Sequence, residues 1–272
     1  MDIFYIVRFS LRLNSDWEIK TFGGDVNREC WFEFRSKVLA NTIYASIVKQ
    51  TVPGCKIILL LDKDDKDLYE RYFDLKNVFP VFSEKSNFMD DVISIVQKNR
   101  DYPDQKIIIS RVDSDDILAP DYTEKVFELT ASPSENENFW IVSTDGARFD
   151  LNSYQRIYYA VSPFISYVSH DGKLENVYGF NHENISEKSN VKYLQSHAPI
   201  WCQILHGSNV ANSFWAASTE DDFLLARAEN RKASALSLKS VDMFNSEFSD
   251  FTGLTEGLVD LVKNFKKALD DN

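Results

Sequence analysis

The 272-residue sequence has no glycine-rich phosphate loop, since neither a GxxxxGK nor a GxGxxG spacing occurs in it. P-loop enzymes and dinucleotide-binding dehydrogenases are therefore disfavoured, because both hold phosphates on backbone N–H groups that such glycines expose. A basic excess is missing as well. Thirty Lys and Arg against 42 Asp and Glu leave a net charge of −12. Such a chain repels a polyanion, so nucleic acid is not an expected partner. Its three cysteines, Cys30, Cys55 and Cys202, are far apart and in no metal-ligand spacing. They read as reduced, mostly buried thiols, and the expected location is cytoplasmic. No uncharged run approaches the ~18 residues that a spanning helix needs. The apolar stretch Met1–Arg8 is too brief for a signal peptide, and the sequon Asn184-Ile185-Ser186 carries no weight without a secretory route.

What is present is ample material for a core, with 44% hydrophobic and 14% aromatic residues. Ile3–Val7 reads as a buried strand. Helical periodicity runs from Trp31 to Gln50, with Phe32, Leu39, Ile43 and Ile47 on one face and Pro53-Gly54 ending it. Lys56–Leu61 is a second apolar strand, closed by Asp62. A short helix over Asp67–Phe73, a strand over Asn77–Phe82, a helix over Met89–Lys98 and a strand over Lys106–Ser110 follow. Continuous apolar strands alternating with amphipathic helices predict an α/β domain with a mainly parallel sheet covered on both faces.

The fourth strand ends in Arg111-Val112-Asp113-Ser114-Asp115-Asp116. Clustered carboxylates raise one another's pKa unless a cation neutralises them. Mn²⁺ or Mg²⁺ does this well, because hard oxygen ligands suit such ions, and a metal so held can grip a diphosphate. The competing reading is a solvated loop in which Asp115 or Asp116 caps the next helix. Position favours the first, since open α/β sheets bind ligands at the carboxyl ends of their strands.

Beyond Tyr122 the pattern changes. A helix over Tyr122–Leu129, a strand over Phe139–Thr144, an antiparallel aromatic-rich stretch over Gly146–Phe164 and a polar mobile loop over Asn181–Asn190 are expected. Thr219–Leu236 reads as one helix. Leu254, Leu258, Leu261, Val262, Phe265 and Leu269 mark another. Lys263, Lys266 and Lys267 near that stripe allow weak membrane-surface association, which Asp260, Asp270 and Asp271 oppose; packing on the domain is the expectation. Among four histidines, His206 stands out in the block Trp201–Asn212. A neutral imidazole can complete a metal site begun by carboxylates, and a structural histidine is the other reading; the residues alone leave both open. Asn209 and Asn212 add amides able to hold sugar hydroxyls.

Taken together, the strand followed by Asp113-Ser114-Asp115-Asp116 resembles the DXD signature of GT-A-type glycosyltransferases. More narrowly, Arg8-Phe9, Arg111–Asp116, Pro163-Phe164 and the Trp201–Asn212 block are similar to the family of bacterial rhamnosyltransferases. The resemblance runs from residue 3 to residue 212. It implies a GT-A-like (Rossmann-like) sheet flanked by helices over residues 1–215, with residues 216–272 as a C-terminal helical extension packed on it. It also implies metal-dependent transfer of a hexose, rhamnose being the one named by the family, from a nucleotide-diphosphate sugar to a glycan or lipid-linked hydroxyl acceptor. In such folds Arg8, Asp62, Arg111 and Asp113 would contact the nucleotide sugar. Asp113, Asp115 and His206 would hold Mn²⁺ or Mg²⁺, and Asp116, Trp201, Asn209 and Asn212 would meet the acceptor.

An inverting transfer needs a base for the acceptor hydroxyl, and Asp145 and Glu183 are the candidates. The resemblance matches neither securely. A retaining transfer needs no such base. Two other functions compete. A nucleotidyltransferase acting on sugar phosphates also holds metal on strand-end carboxylates, but the stretch from Phe9 to Phe22 lacks its glycine-rich basic loop. A non-catalytic carbohydrate-binding module would use Trp201, Trp215, Tyr154, Tyr158 and Tyr159 as stacking platforms.

Overall fold

The computed structural model describes residues 1–11, 28–84, 88–131, 137–150, 152–205, 213–231, 233–240, 242–244, 248, 260–261 and 263. Strand β1 (Asp2–Arg8) is central. It pairs in parallel with β2 (Lys56–Asp62) on one side and β4 (Ile107–Asp113) on the other. β3 (Val78–Ser83) adds to β2 in parallel, while β9 (Ile165–Ser169) joins β4 antiparallel. With β6 (Phe139–Ser143) and β10 (Val191–Leu194) the sheet runs β10-β6-β9-β4-β1-β2-β3. The chain is thus an α/β fold with a mainly parallel central sheet, as the apolar strand runs predict.

Alternation along the strands feeds two cores. Ile3, Tyr5 and Val7 of β1 face helix α1 (Arg28–Leu39), α2 (Lys66–Tyr72) and α4 (Tyr122–Thr130). Phe4 and Ile6 face α3 (Phe88–Lys98) and the segment carrying Val177 and Ile185. A strand buried on both sides must be apolar at every position, which is why these runs do not alternate with polar residues. α1 continues through a π-helical turn, Ala40–Tyr44, into Ala45–Val48. The break to β2 comes at Gly54, whose φ of 85° suits a residue without a side chain.

A second, smaller sheet has the order β12-β8-β7-β11-β5. It comprises β5 (Ile117–Leu118), β7 (Asp145–Phe149), β8 (Ser153–Tyr159), β11 (Trp201–Ile204) and β12 (Ala233–Ala235), with β13 (Lys239–Ser240) also pairing β8. The antiparallel reading of the aromatic stretch holds for β7 and β8. Two expectations are corrected. Residues 219–236 are not one helix: α5 (Glu220–Ala228) stops, Asn230 takes a left-handed φ of 53°, and the chain re-enters a sheet as β12. The segment read as a mobile loop contains a 3₁₀ helix, His182–Glu187, capped by the Asn181 side chain and anchored by buried Ile185. Of the last apolar stripe, Leu254, Leu258, Val262, Phe265 and Leu269 lie outside the described residues; Leu261 packs against the first core. Among the described residues no helix is long and apolar enough to cross a membrane. Cys55 and Cys202 are buried, but Cys30 is exposed.

Trp201 and Gly146, paired across β11 and β7, lock the second sheet to the first. The indole stacks on Phe164 at 4.3 Å and donates Nε1–H to Ser143 O at 2.8 Å. A Cβ at position 146 would overlap that ring. Gly146→Ala is therefore expected to destabilise the protein by about 1–3 kcal/mol, as overpacking does. Thermal melting checks this, with the smaller ring of Trp201→Phe recovering part of the loss in the double variant.

Candidate active site

Parallel register puts the functional side chains of β1 and β4 next to one another. Ile6 lies opposite Arg111 and Arg8 opposite Asp113 at the carboxyl ends of the two strands. The strand includes Arg111, Val112 and Asp113, so the acidic turn proper is only Ser114–Asp116. Arg8 Nη2 approaches Asp113 Oδ1 to 3.6 Å, an ion pair too long for a hydrogen bond, and that oxygen is buried without a hydrogen-bond partner. Tyr178 lies beneath both arginines, its ring centroid 5.7 Å from the Arg8 guanidinium and 4.7 Å from that of Arg111. Burial and the nearby Asp113 push its phenol well above the usual range.

The three carboxylates do not converge. Asp113 turns to Arg8, whereas Asp115 Oδ2 pairs with Arg35 Nη1 at 3.0 Å on the α1 side. Arg35 Nη2 also donates to Ser114 Oγ at 2.6 Å, and Thr42 in the π-helical turn reaches Ser114 O at 3.3 Å. Asp116 points inward. Burial raises its pKa well above the ordinary value, Asp115 and Asp113 push it further, and the Ile204 N–H and Arg35 act the other way. Buried Arg148 is held among neutral groups: its Nε donates to Gln203 Oε1 at 3.1 Å, Nη1 donates to Ser213 O, and the guanidinium sits 4.2 Å from the Trp215 ring centre. Burial lowers its pKa to about 10, with Asp116 opposing.

The remaining predicted residues fall into three groups. Asp62, at the same edge of the sheet, accepts from Asp64 N–H at 3.0 Å, and its own N–H donates to Ser10 Oγ at 3.2 Å. Glu183 is exposed, and Tyr159 OH contacts its Oε1 at 3.4 Å. Its neighbour His182 bonds Val161 O through Nδ1; burial lowers its pKa, Arg111 lowers it further, and Asp113 and Glu183 oppose. Arg111 and Asp113 thus act electrostatically on the residue that precedes Glu183. Asp145 is sequestered elsewhere, 2% exposed, pairing with Arg227 Nε at 2.9 Å and accepting from Ser196 N–H and Thr144 Oγ1, each at 3.0 Å. Trp201 corrects an expectation: it is 0% exposed, so no ring face is left for a sugar. His206, Asn209 and Asn212 lie outside the described residues.

Asp113 and Asp115 suit a hard divalent cation in donor type, and the unsatisfied Asp113 Oδ1 is an acceptor that such an ion would complete. No group of three His, Cys, Asp or Glu able to hold a metal occurs among the described residues. Arg35, Thr42, Tyr178, His182 and Arg148 were not singled out from the sequence. Only Arg35 carried a usable signal: it sits at core spacing with Trp31 and Val38 on a buried helix face.

A family model described as "Putative rhamnosyl transferase" matches residues 28–218. The chain belongs to that rhamnosyl transferase family. No curated protein matches it. Among solved structures it is similar to TarS 1–349 of S. aureus, with 12% identity, 75% of this chain and 60% of that chain covered, and a TM-score of 0.38. The chain thus spans about 60% of the length of that fragment. The same fragment in complex with UDP matches at 10% identity over 75% of this chain and 61% of that one, TM-score 0.38. A protein described as "putative nucleotide-diphospho-sugar transferase" from Desulfovibrio desulfuricans G20 is 12% identical over 97% of this chain and 99% of its own, TM-score 0.41.

Because Asp116 is harder to ionise in the folded chain than in the unfolded one, its proton stabilises the fold at low pH. That stability is lost as pH rises from about 4, the unfolded carboxyl value, through the raised folded one. Asp116→Asn is therefore expected to melt several degrees above the parent at pH 7 in chelator, the gap closing towards pH 4. Melting curves across that range check it; a pH-independent gap would count against the assignment.

Proposed function

We propose that the protein transfers a hexose, rhamnose being the first to test, from a nucleotide-diphosphate sugar to a hydroxyl of a glycan or lipid-linked acceptor. The observation that carries this reading is the Arg8–Asp113–Arg111 cluster at the carboxyl edge of the parallel sheet, in a chain of the rhamnosyl transferase family. Asp113 and Asp115 would hold Mn²⁺ or Mg²⁺, with His206 as the expected third ligand. When bound, the ion stabilises negative charge on the departing diphosphate.

The chain's own residues divide the remaining work. Arg8 keeps Asp113 directed across the strand ends, and Arg35 with Thr42 fixes the turn that carries Asp115. Glu183 accepts the acceptor hydroxyl's proton while that oxygen bonds to the anomeric carbon and the diphosphate leaves with its electron pair. What supports Glu183 over Asp145 is environment. Glu183 is exposed and follows His182, on which the charges of Arg111 and Asp113 act, while Asp145 spends its carboxylate on Arg227, Ser196 and Thr144. Asp62, which ends the adjacent strand, would meet the nucleoside.

A panel of nucleotide-diphosphate hexoses, screened by thermal shift with and without Mn²⁺ and then by donor turnover, tests the reading. Stabilisation by none of them, or pyrophosphate release from a nucleoside triphosphate and a sugar 1-phosphate, would replace it with the nucleotidyltransferase alternative. Glu183→Gln should lower kcat by ~10²–10⁴, the usual worth of a general base, with donor affinity held within about threefold. Asp145→Asn should instead lower the melting temperature and leave turnover per folded molecule unchanged. In calorimetry with Mn²⁺, Asp115→Asn should weaken donor binding by roughly ten- to a hundredfold, equivalent to ~1.5–3 kcal/mol for a charge-assisted contact.

A further inference from the structure

A cavity of about 220 Å³ lies at the amino ends of β2 and β3, the length of the strands away from Arg8, Asp62 and Asp113. Its floor is Ile47, Cys55 and Ile57, all buried, with half-buried Tyr44 and Val52 as walls. Val48, 64% exposed, and Lys76 stand at the rim. Both loops that enter the strands turn here through left-handed residues, Gly54 with φ 85° and Asn77 with φ 58°. Nothing lies within 4 Å of where a Cβ on Gly54 would be, so the space above that loop is open. An apolar cavity of ~150 Å³ is enough to admit benzene, so this one has room for a single ring and a short side chain. Lys76 carries the one charge among the described lining residues, which fits an anionic end to that side chain.

The walls of the cavity are tied to the acidic turn. Tyr44, whose hydroxyl accepts the Lys76 N–H at 3.3 Å, ends the π-helical turn, and Thr42 of the same turn donates to Ser114 O at 3.3 Å. Between Val48 and Val52, Gln50 donates to Ala119 O and accepts the Thr123 N–H, each at 2.8 Å. Thr51 N–H donates to Pro120 O at 2.9 Å. The chain that encloses the cavity and the chain that follows Asp113 are thus one hydrogen-bonded body.

We propose that this cavity is a second ligand site, for a small aromatic carboxylate, and that its occupant stiffens the acidic turn by way of the π-helical turn. The ring displaces water from Ile47, Val52 and Ile57, and the carboxylate meets Lys76. Filling the cavity restrains Tyr44, and Thr42, two residues earlier, passes that restraint to Ser114. The site is independent of the sugar-transfer reading, which uses the opposite edge of the sheet.

The test takes the full chain and phenylacetate as the probe, with calorimetry for binding and amide hydrogen exchange for location. A Kd of about 1 mM is expected, the reach of so small a ligand. Phenylacetamide, which lacks the charge, should bind about fivefold more weakly, and Lys76→Met should erase that preference. Val48→Trp, or Val52→Phe from the other wall, should weaken phenylacetate at least ~tenfold by filling the space. Bound phenylacetate should slow exchange at Thr51 and Thr123, whose N–H groups close the walls, and at Asp116, whose N–H faces Asp113 O at 3.5 Å. Thr42→Val should keep binding and the slowing at Thr51 but lose the slowing at Asp116, whereas Thr42→Ser should keep all of it. No binding, binding unmoved by both filling variants, or binding lost in Arg111→Gln instead would overturn the site. Slowing at Thr51 with none at Asp116, or slowing at Asp116 that survives Thr42→Val, would overturn the coupling.

Discussion

Parallel pairing of β1 with β4 is the constraint on which the rest depends. It is built from residues buried on both faces, so neither strand can slip by one position without sending its whole side-chain set into the wrong core. That rigidity is inherited by the polar residues at the strand ends. Arg8 meets Asp113, and Arg111 lies beside Ile6, because Ile3 to Val7 and Ile108 to Val112 have no other register available. Hydrophobic packing in the middle of the sheet thus sets electrostatics at its edge.

At that edge, repulsion among Asp113, Asp115 and Asp116 is handled by separation. Each carboxylate leaves the turn in a different direction: one towards Arg8, one towards Arg35, and one into a desolvated niche where ionisation is disfavoured. Two arginines from different elements, the end of β1 and the buried face of α1, hold the turn from opposite sides. The π-helical widening of the helix brings Thr42 onto the backbone of the same turn. One ion held by both Asp113 and Asp115 would require the two carboxylates to swing from their arginines towards a common point.

Much of the α/β frame was legible in the sequence, because a doubly buried strand leaves an unbroken apolar run and an amphipathic helix leaves a 3.6-residue stripe. Arg8, Asp62, Arg111 and Asp113 were singled out through the family resemblance, and each lies at or just past the end of such a run. Legibility failed where structure depends on partners distant in sequence. The strand Ala233–Ala235 exists because β8 offers it an edge, and nothing in three small residues announces that. Tyr178 and His182 sit in a polar stretch whose importance comes only from its docking against the strand ends. Trp201 was misread as a platform because an aromatic residue in a polar block looks available. The space that swallows it is created by a glycine more than fifty positions earlier in the chain. Arg35 and Asp115 are eighty residues apart, and only the fold makes them a pair.

The ion pair between Asp145 and Arg227 bears on where this protein can be cut. Asp145 opens β7 in the interior, while its counter-charge comes from α5, past residue 215. Removal of the polypeptide after that point would strip a buried carboxylate of its cation and uncover the outer edge of β8, which β12 and β13 pair with. A naked strand edge beside an uncompensated charge is a recipe for self-association. Residues 233–235 and 239–240 are therefore structural members of the second sheet, and a shortened protein ending near residue 215 should come out of cells as aggregate.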